Sequence, residues 1–136
     1  MKSNVKSFAN FLAAAVWADG EYNEYEKEFV GEVASILEIP NFDAELKDAI
    51  KATENLESEE LTDLLVESAK GIDKKEREAV LSTCLTMLCC DAYFSKDEME
   101  NYFVFAEILG VDDDRAQELL DSYIDEEEDL IVEDQE

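Results

Sequence analysis

The 136-residue chain has no histidine, one proline, four glycines and three cysteines. Without histidine the usual zinc sites are ruled out, and no Ser or Cys has a plausible base to activate it. No glycine-rich loop is available to cradle a phosphate, so catalysis is not expected. Scarce proline and glycine favour helices over a turn-rich β fold. Cys84, Cys89 and Cys90 form an odd set within one predicted helix, without metal-ligand spacing. They read as small buried thiols kept reduced, which suits a cytoplasmic protein.

Basic residues are also few. Lys and Arg total 11 against 37 Asp and Glu, a formal charge of −26. Residues 1–18 hold Lys2 and Lys6 and no acid, so the negative charge lies entirely beyond them. Such a surface repels phosphate backbones and excludes nucleic acid as a direct partner. It attracts cations and basic protein surfaces and speeds their association. The apolar run from Phe8 to Ala18 loosely imitates a signal peptide, but it is short and Asn10 interrupts it. It reads as a core helix, and no direct membrane insertion is expected.

What the chain does have is a gapless internal repeat at an offset of 72 residues. Asp19 aligns with Asp91, Tyr22 with Phe94, Asn23 with Ser95, Glu26 with Glu98 and Glu28 with Glu100. Further on, Ala34, Ile36 and Leu37 align with Ala106, Ile108 and Leu109. Residues 4–18 suit a helix that is apolar nearly all round, with Phe8, Phe11, Leu12, Ala15, Val16 and Trp17, as expected in the middle of a bundle. Asp19-Gly20 breaks it, and Asn23 with Glu26 three residues on predicts a capped helix over about 24–38. Its inward face is Val30, Val33, Ile36 and Leu37, with Phe29 beside them.

Residues 43–53 and a helix opening at Ser58 form a middle pair, with Phe42, Leu46, Ala49, Ile50, Leu61, Leu64, Leu65 and Ala69 inward. Asp73 caps a helix over roughly 74–90. Ser95-x-x-Glu98 is a second capping box before a helix ending at Leu109-Gly110, and Asp112 starts the last helix. The expected fold is therefore all-α: a compact seven-helix bundle from two pseudo-symmetric αα-hairpin halves, about 5–39 and 74–111, joined by the middle pair. The domain spans 1–124. Residues 125–136, eight of them acidic, are expected to be a flexible tail, with Leu130-Ile131-Val132 able to dock locally. No strand is expected.

The repeat pairs carboxylates at equivalent turns: Asp19 with Glu26, and Asp91 with Glu98. Glu21, Asn23, Ser95 and Asp97 offer further oxygens. Oxygen clusters of this kind suit Ca²⁺ or Mg²⁺, which need several oxygen ligands and no histidine. Capping accounts for Glu26 and Glu98 without any metal, and for the two aspartates only in part. An EF-hand is excluded. Counting from Asp19, the sixth position is Glu24 rather than Gly and the twelfth is Val30 rather than Glu.

Ala18-Asp19-Gly20-Glu21, leading to Glu26-Lys27-x-Phe29, and Asp91 with Glu98 before Ile108-Leu109-Gly110-Val111, resemble the tellurite-resistance TerB-like family. The same module opens some membrane-anchored J-domain co-chaperones. The resemblance runs from about residue 5 to 124. It implies a non-enzymatic, cytoplasmic stress-response component that works with membrane-associated and other protein partners. It also implies divalent-cation binding by Asp19, Glu26, Asp91 and Glu98. In the second copy Ala92 replaces the usual Gly and Cys90 the usual Ala, and a left-handed turn at Ala92 would cost roughly 1 kcal/mol. The first turn is thus the better site. A metal-free adaptor that uses its acidic surface and tail is the alternative.

Overall fold

The computed structural model describes residues 5–17, 24, 27–29, 31–32, 42–89, 93–127 and 130–132. The all-α expectation holds. Six α-helices have their bounds there: α1 (Val5–Val16), α2 (Phe42–Thr53), α3 (Ser58–Ala69), α4 (Arg77–Leu88), α5 (Lys96–Leu109) and α6 (Asp113–Glu126). Residues 24, 27–29 and 31–32 are helical as well, within the stretch expected to form a helix over 24–38. Its inward residues Val30, Val33, Ile36 and Leu37 lie outside the described residues. A 3-10 turn at Lys74–Glu76 leads into α4. At the repeat offset of 72, the bounds of α1 coincide with those of α4 at both ends.

Helix α1 is the centre of the bundle and packs against α2, α3 and α4. Phe8, Ala9, Phe11, Leu12, Ala13 and Val16 are fully buried, as its all-round apolar sequence demands. Each such Phe, Leu or Val gains roughly 1.5–3 kcal/mol from leaving water. Phe8 meets Phe42 of α2 edge-on with ring centres 5.4 Å apart, and Phe11 meets Phe105 of α5 in the same way at 6.4 Å. The polar interruption at Asn10 is accommodated, because its Nδ2 donates to Ser68 Oγ of α3 at 3.0 Å. Trp17 Nε1 likewise donates to the Ile50 carbonyl at 3.0 Å, tying the end of α1 to α2.

The expected inward residues of α2, Phe42, Leu46, Ala49 and Ile50, are buried throughout. In α3, Leu65 and Ala69 are buried, but Leu61 and Leu64 are only half-buried. Asp73 Oδ1 accepts from the Lys75 N–H at 2.9 Å, so the cap before α4 forms as predicted. Helix α5 ends at Gly110, whose φ of 78° is left-handed. There the Val111 N–H donates to the Ala106 carbonyl (2.9 Å) and the Gly110 N–H to Glu107 (3.1 Å). This is a Schellman closure, and it needs a residue without a Cβ penalty. Tyr102 Oη donates to the Ala116 carbonyl at 2.6 Å, fixing α6 on α5.

One feature departs from the all-helical expectation. Tyr93–Phe94 (β1) and Ile131–Val132 (β2) pair in parallel, Tyr93 opposite Ile131 and Phe94 opposite Val132. Helices α5 and α6 supply the long crossover that parallel pairing requires. Helix α6 runs on through Glu126, and Leu130 and Val132 then pack against the core where Phe94 is fully buried. Apolar docking and one strand pair outweigh local charge repulsion at this point. No helix among the described residues is long and apolar enough to cross a membrane.

Candidate functional site

The second carboxylate turn is built from the start of α5. Ser95 takes an extended conformation (φ −78°, ψ 165°), which frees its side chain to reach forward. Its Oγ accepts from the Glu98 N–H at 3.1 Å, and Glu98 Oε1 accepts from the Ser95 N–H at 3.0 Å. Two N–H groups with no partner inside the helix are thereby satisfied, and a carboxylate sits at the positive end of the helix dipole. Glu98 is 6% exposed, the one charged side chain among the described residues that is buried. Asp97 is exposed; consecutive helical residues point about 100° apart, so the two carboxylates face different surroundings.

Of the residues expected to ligate a cation, Glu98 and Asp97 are thus placed. Asp19, Glu26 and Asp91, with Glu21 and Asn23, lie outside the described residues. Among the described residues no group of three or more Cys, Asp and Glu side chains is arranged to hold a metal ion. An all-oxygen donor set would suit Ca²⁺ or Mg²⁺. Glu98 Oε1 already serves the helix start, where it accepts from the Ser95 N–H.

Cys90 lies outside the described residues. Cys84 and Cys89 are reduced and buried, and burial pushes the Cys84 thiol far above its ordinary range. A thiol held neutral in this way is a packing group rather than a nucleophile.

A second polar centre, unmarked by any sequence motif, lies at Arg77. Its Nη1 donates to the Leu109 carbonyl at 2.8 Å and its Nη2 to Ala69 at 3.2 Å, with Nε 3.4 Å from the Ile72 carbonyl. Ala69 and Leu109 end α3 and α5, so a single guanidinium caps two helix C-termini. Beside it, a groove of about 330 Å³ brings Lys74, Arg77 and Arg115 together with Glu78 and Asp112. Arg115 bridges α4 and α6 there, with Nη2 2.9 Å from Glu78 and Nη1 3.0 Å from Glu118. These two carboxylates raise the Arg115 pKa above its usual value. A short Asp-x-x-x-Arg stretch carries no hint of this role, because the partner carbonyls sit 8 and 32 residues away.

The chain matches no family model, no curated protein and no solved structure.

Proposed function

We propose that this chain is a cytoplasmic, non-enzymatic acidic module of the TerB-like kind, acting in stress or tellurite resistance by capturing cationic protein partners. The observation that carries this reading is the excess of acidic over basic residues, 37 against 11. The ion pairs at Arg115 and Lys70 engage Glu67, Glu78 and Glu118. Glu100, Glu107, Asp112, Asp113 and Asp114 are exposed and take no part in them. Exposed like charges on a rigid helical core cost the fold some self-repulsion, and a basic partner relieves it on binding. Binding of an oligolysine peptide should weaken steeply as NaCl rises, weaken on deletion of residues 125–136, and ignore chelator. Capture that survives both high salt and the deletion would end this reading.

A second reading is favoured by the burial of Glu98, 6% exposed beside the second repeat turn. In it, Asp19 with Glu26 and Asp91 with Glu98 bind a divalent cation. A cation at about 1,000 times its dissociation constant should add roughly 4 kcal/mol of stability. The melting temperature should therefore rise with calcium or magnesium in the wild type and not in Asp19→Asn/Asp91→Asn. Equal shifts in both proteins would dismiss the metal.

A further inference from the structure

We infer that the C-terminal strand is a charge-gated strap, which closes on the turn before α5 when the acids around it are screened and releases when they are not. The attachment is small. Two residues of β2 pair with two of β1, and Ile131 is 62% exposed while its neighbours Leu130 and Val132 pack on the core. Inward, outward and inward again is the alternation of a strand laid flat on an apolar surface. The return is tight, since the Leu130 N–H reaches the Glu127 carbonyl at 3.2 Å just beyond the end of α6.

Charge opposes this closure. In sequence, Leu130-Ile131-Val132 is flanked by five acids (residues 125–129) and followed by Glu133, Asp134 and Glu136. Asp125, Glu126 and Glu127 are exposed, and no basic residue occupies the last turn of α6. They stand at the negative end of that helix, where further negative charge is unfavourable. The apolar anchors do not change with ionic strength nearly as much as this repulsion does. The Debye length falls from about 30 Å at 0.01 M to about 3 Å at 1 M, so salt removes the opposing term selectively.

The inference goes beyond the capture of a basic partner and does not need one, because plain NaCl is the trigger. Amide hydrogen exchange of the full chain tests it. Protection of those amides of residues 93–94 and 131–132 that bond between the two strands should rise roughly three- to tenfold between about 10 mM and about 500 mM NaCl. The amides of Glu98 and Met99 in the capped helix should stay constant. Asp125→Asn/Glu126→Gln/Glu127→Gln should be protected already at low salt, with most of the salt response gone. Leu130→Asn/Val132→Asn should lose protection at every salt concentration. Protection in the wild type that is salt-independent, or that falls with salt, overturns the inference, and so does an undiminished salt response in the charge-neutralised variant.

Discussion

Replacing Arg77 by Met keeps most of the apolar stem and removes the guanidinium that closes α3 and α5. Hydrogen bonds to a charged group contribute about 1.5–3 kcal/mol each, and the two shorter contacts, 2.8 and 3.2 Å, are the ones that count. Arg77 is only half-buried, so water can partly replace the guanidinium, and the Ala69 carbonyl keeps its bond from the Ile72 N–H; a loss of about 2–4 kcal/mol follows. With an unfolding entropy of about 2.1 cal/mol/K per residue, a chain of this length should melt roughly 7–14 °C lower. Arg77→Lys has a single compact ammonium that cannot span two helix ends, and it should fall between Met and the wild type. Gly110 supplies an internal control. A Cβ there would sit 3.2 Å from Arg77 Nη1, on a backbone with φ of 78°. Gly110→Ala should cost about 1–2 kcal/mol for the left-handed backbone plus the crowding of the guanidinium. In the Arg77→Met background the crowding disappears, so the double variant should be less destabilised than the sum by roughly 0.5–1 kcal/mol. Thermal unfolding followed by circular dichroism measures all four. An Arg77→Met protein that melts within about 3 °C of wild type would refute the double-cap account.

Tyr102→Phe removes the buried bond to the Ala116 carbonyl, which keeps its place in the α6 ladder; urea unfolding should show a loss of about 0.5–1.5 kcal/mol with an unchanged m-value. Ser95→Ala removes the acceptor for the Glu98 N–H and should cost about 1 kcal/mol, whereas Glu98→Gln keeps the reciprocal bond and should cost less. If Glu98 also ligates calcium, Glu98→Gln should lose most of the calcium-induced rise in melting temperature; a full rise would remove it from the ligand set. The Cys84 thiol has a folded pKa raised above its unfolded value, so the unfolded chain ionises first as pH rises. Its contribution is fully present below about pH 8.5 and declines above it by up to about 1.4 kcal/mol per pH unit. Cys84→Ala should flatten this part of the stability–pH curve, and an unchanged slope would contradict the burial argument.

Glycine and capping residues are local instructions, and among the described residues they made several helix ends readable. Ser95-x-x-Glu98 and Asp73 act within four residues of themselves, so their hydrogen bonds formed as the pattern required. Gly110 follows the last apolar residue of α5 and takes the left-handed conformation that only glycine adopts cheaply. The all-round apolar character of residues 8–16 likewise dictated a central helix, because no face of it could be left in water. Glu98 was legible as a capping residue for the same local reason. The pairing expected between Glu98 and Asp91 lies outside the described residues, because Asp91 does.

Tertiary structure alone decided the contacts between distant polar groups. Asn10 reaches Ser68 across 58 residues, and Arg77 gathers carbonyls from the ends of two helices. Nothing in the neighbouring residues of either side chain encodes its partner, because backbone carbonyls are identical in every sequence. The strand pair is of the same kind. Leu130-Ile131-Val132 reads as three apolar residues in an acidic tail, and only its pairing with Tyr93–Phe94 makes it a strand. Local sequence determined where the helices start and stop in this protein. The long-range packing of those helices determined which of their ends are tied together and where the acidic tail comes to rest.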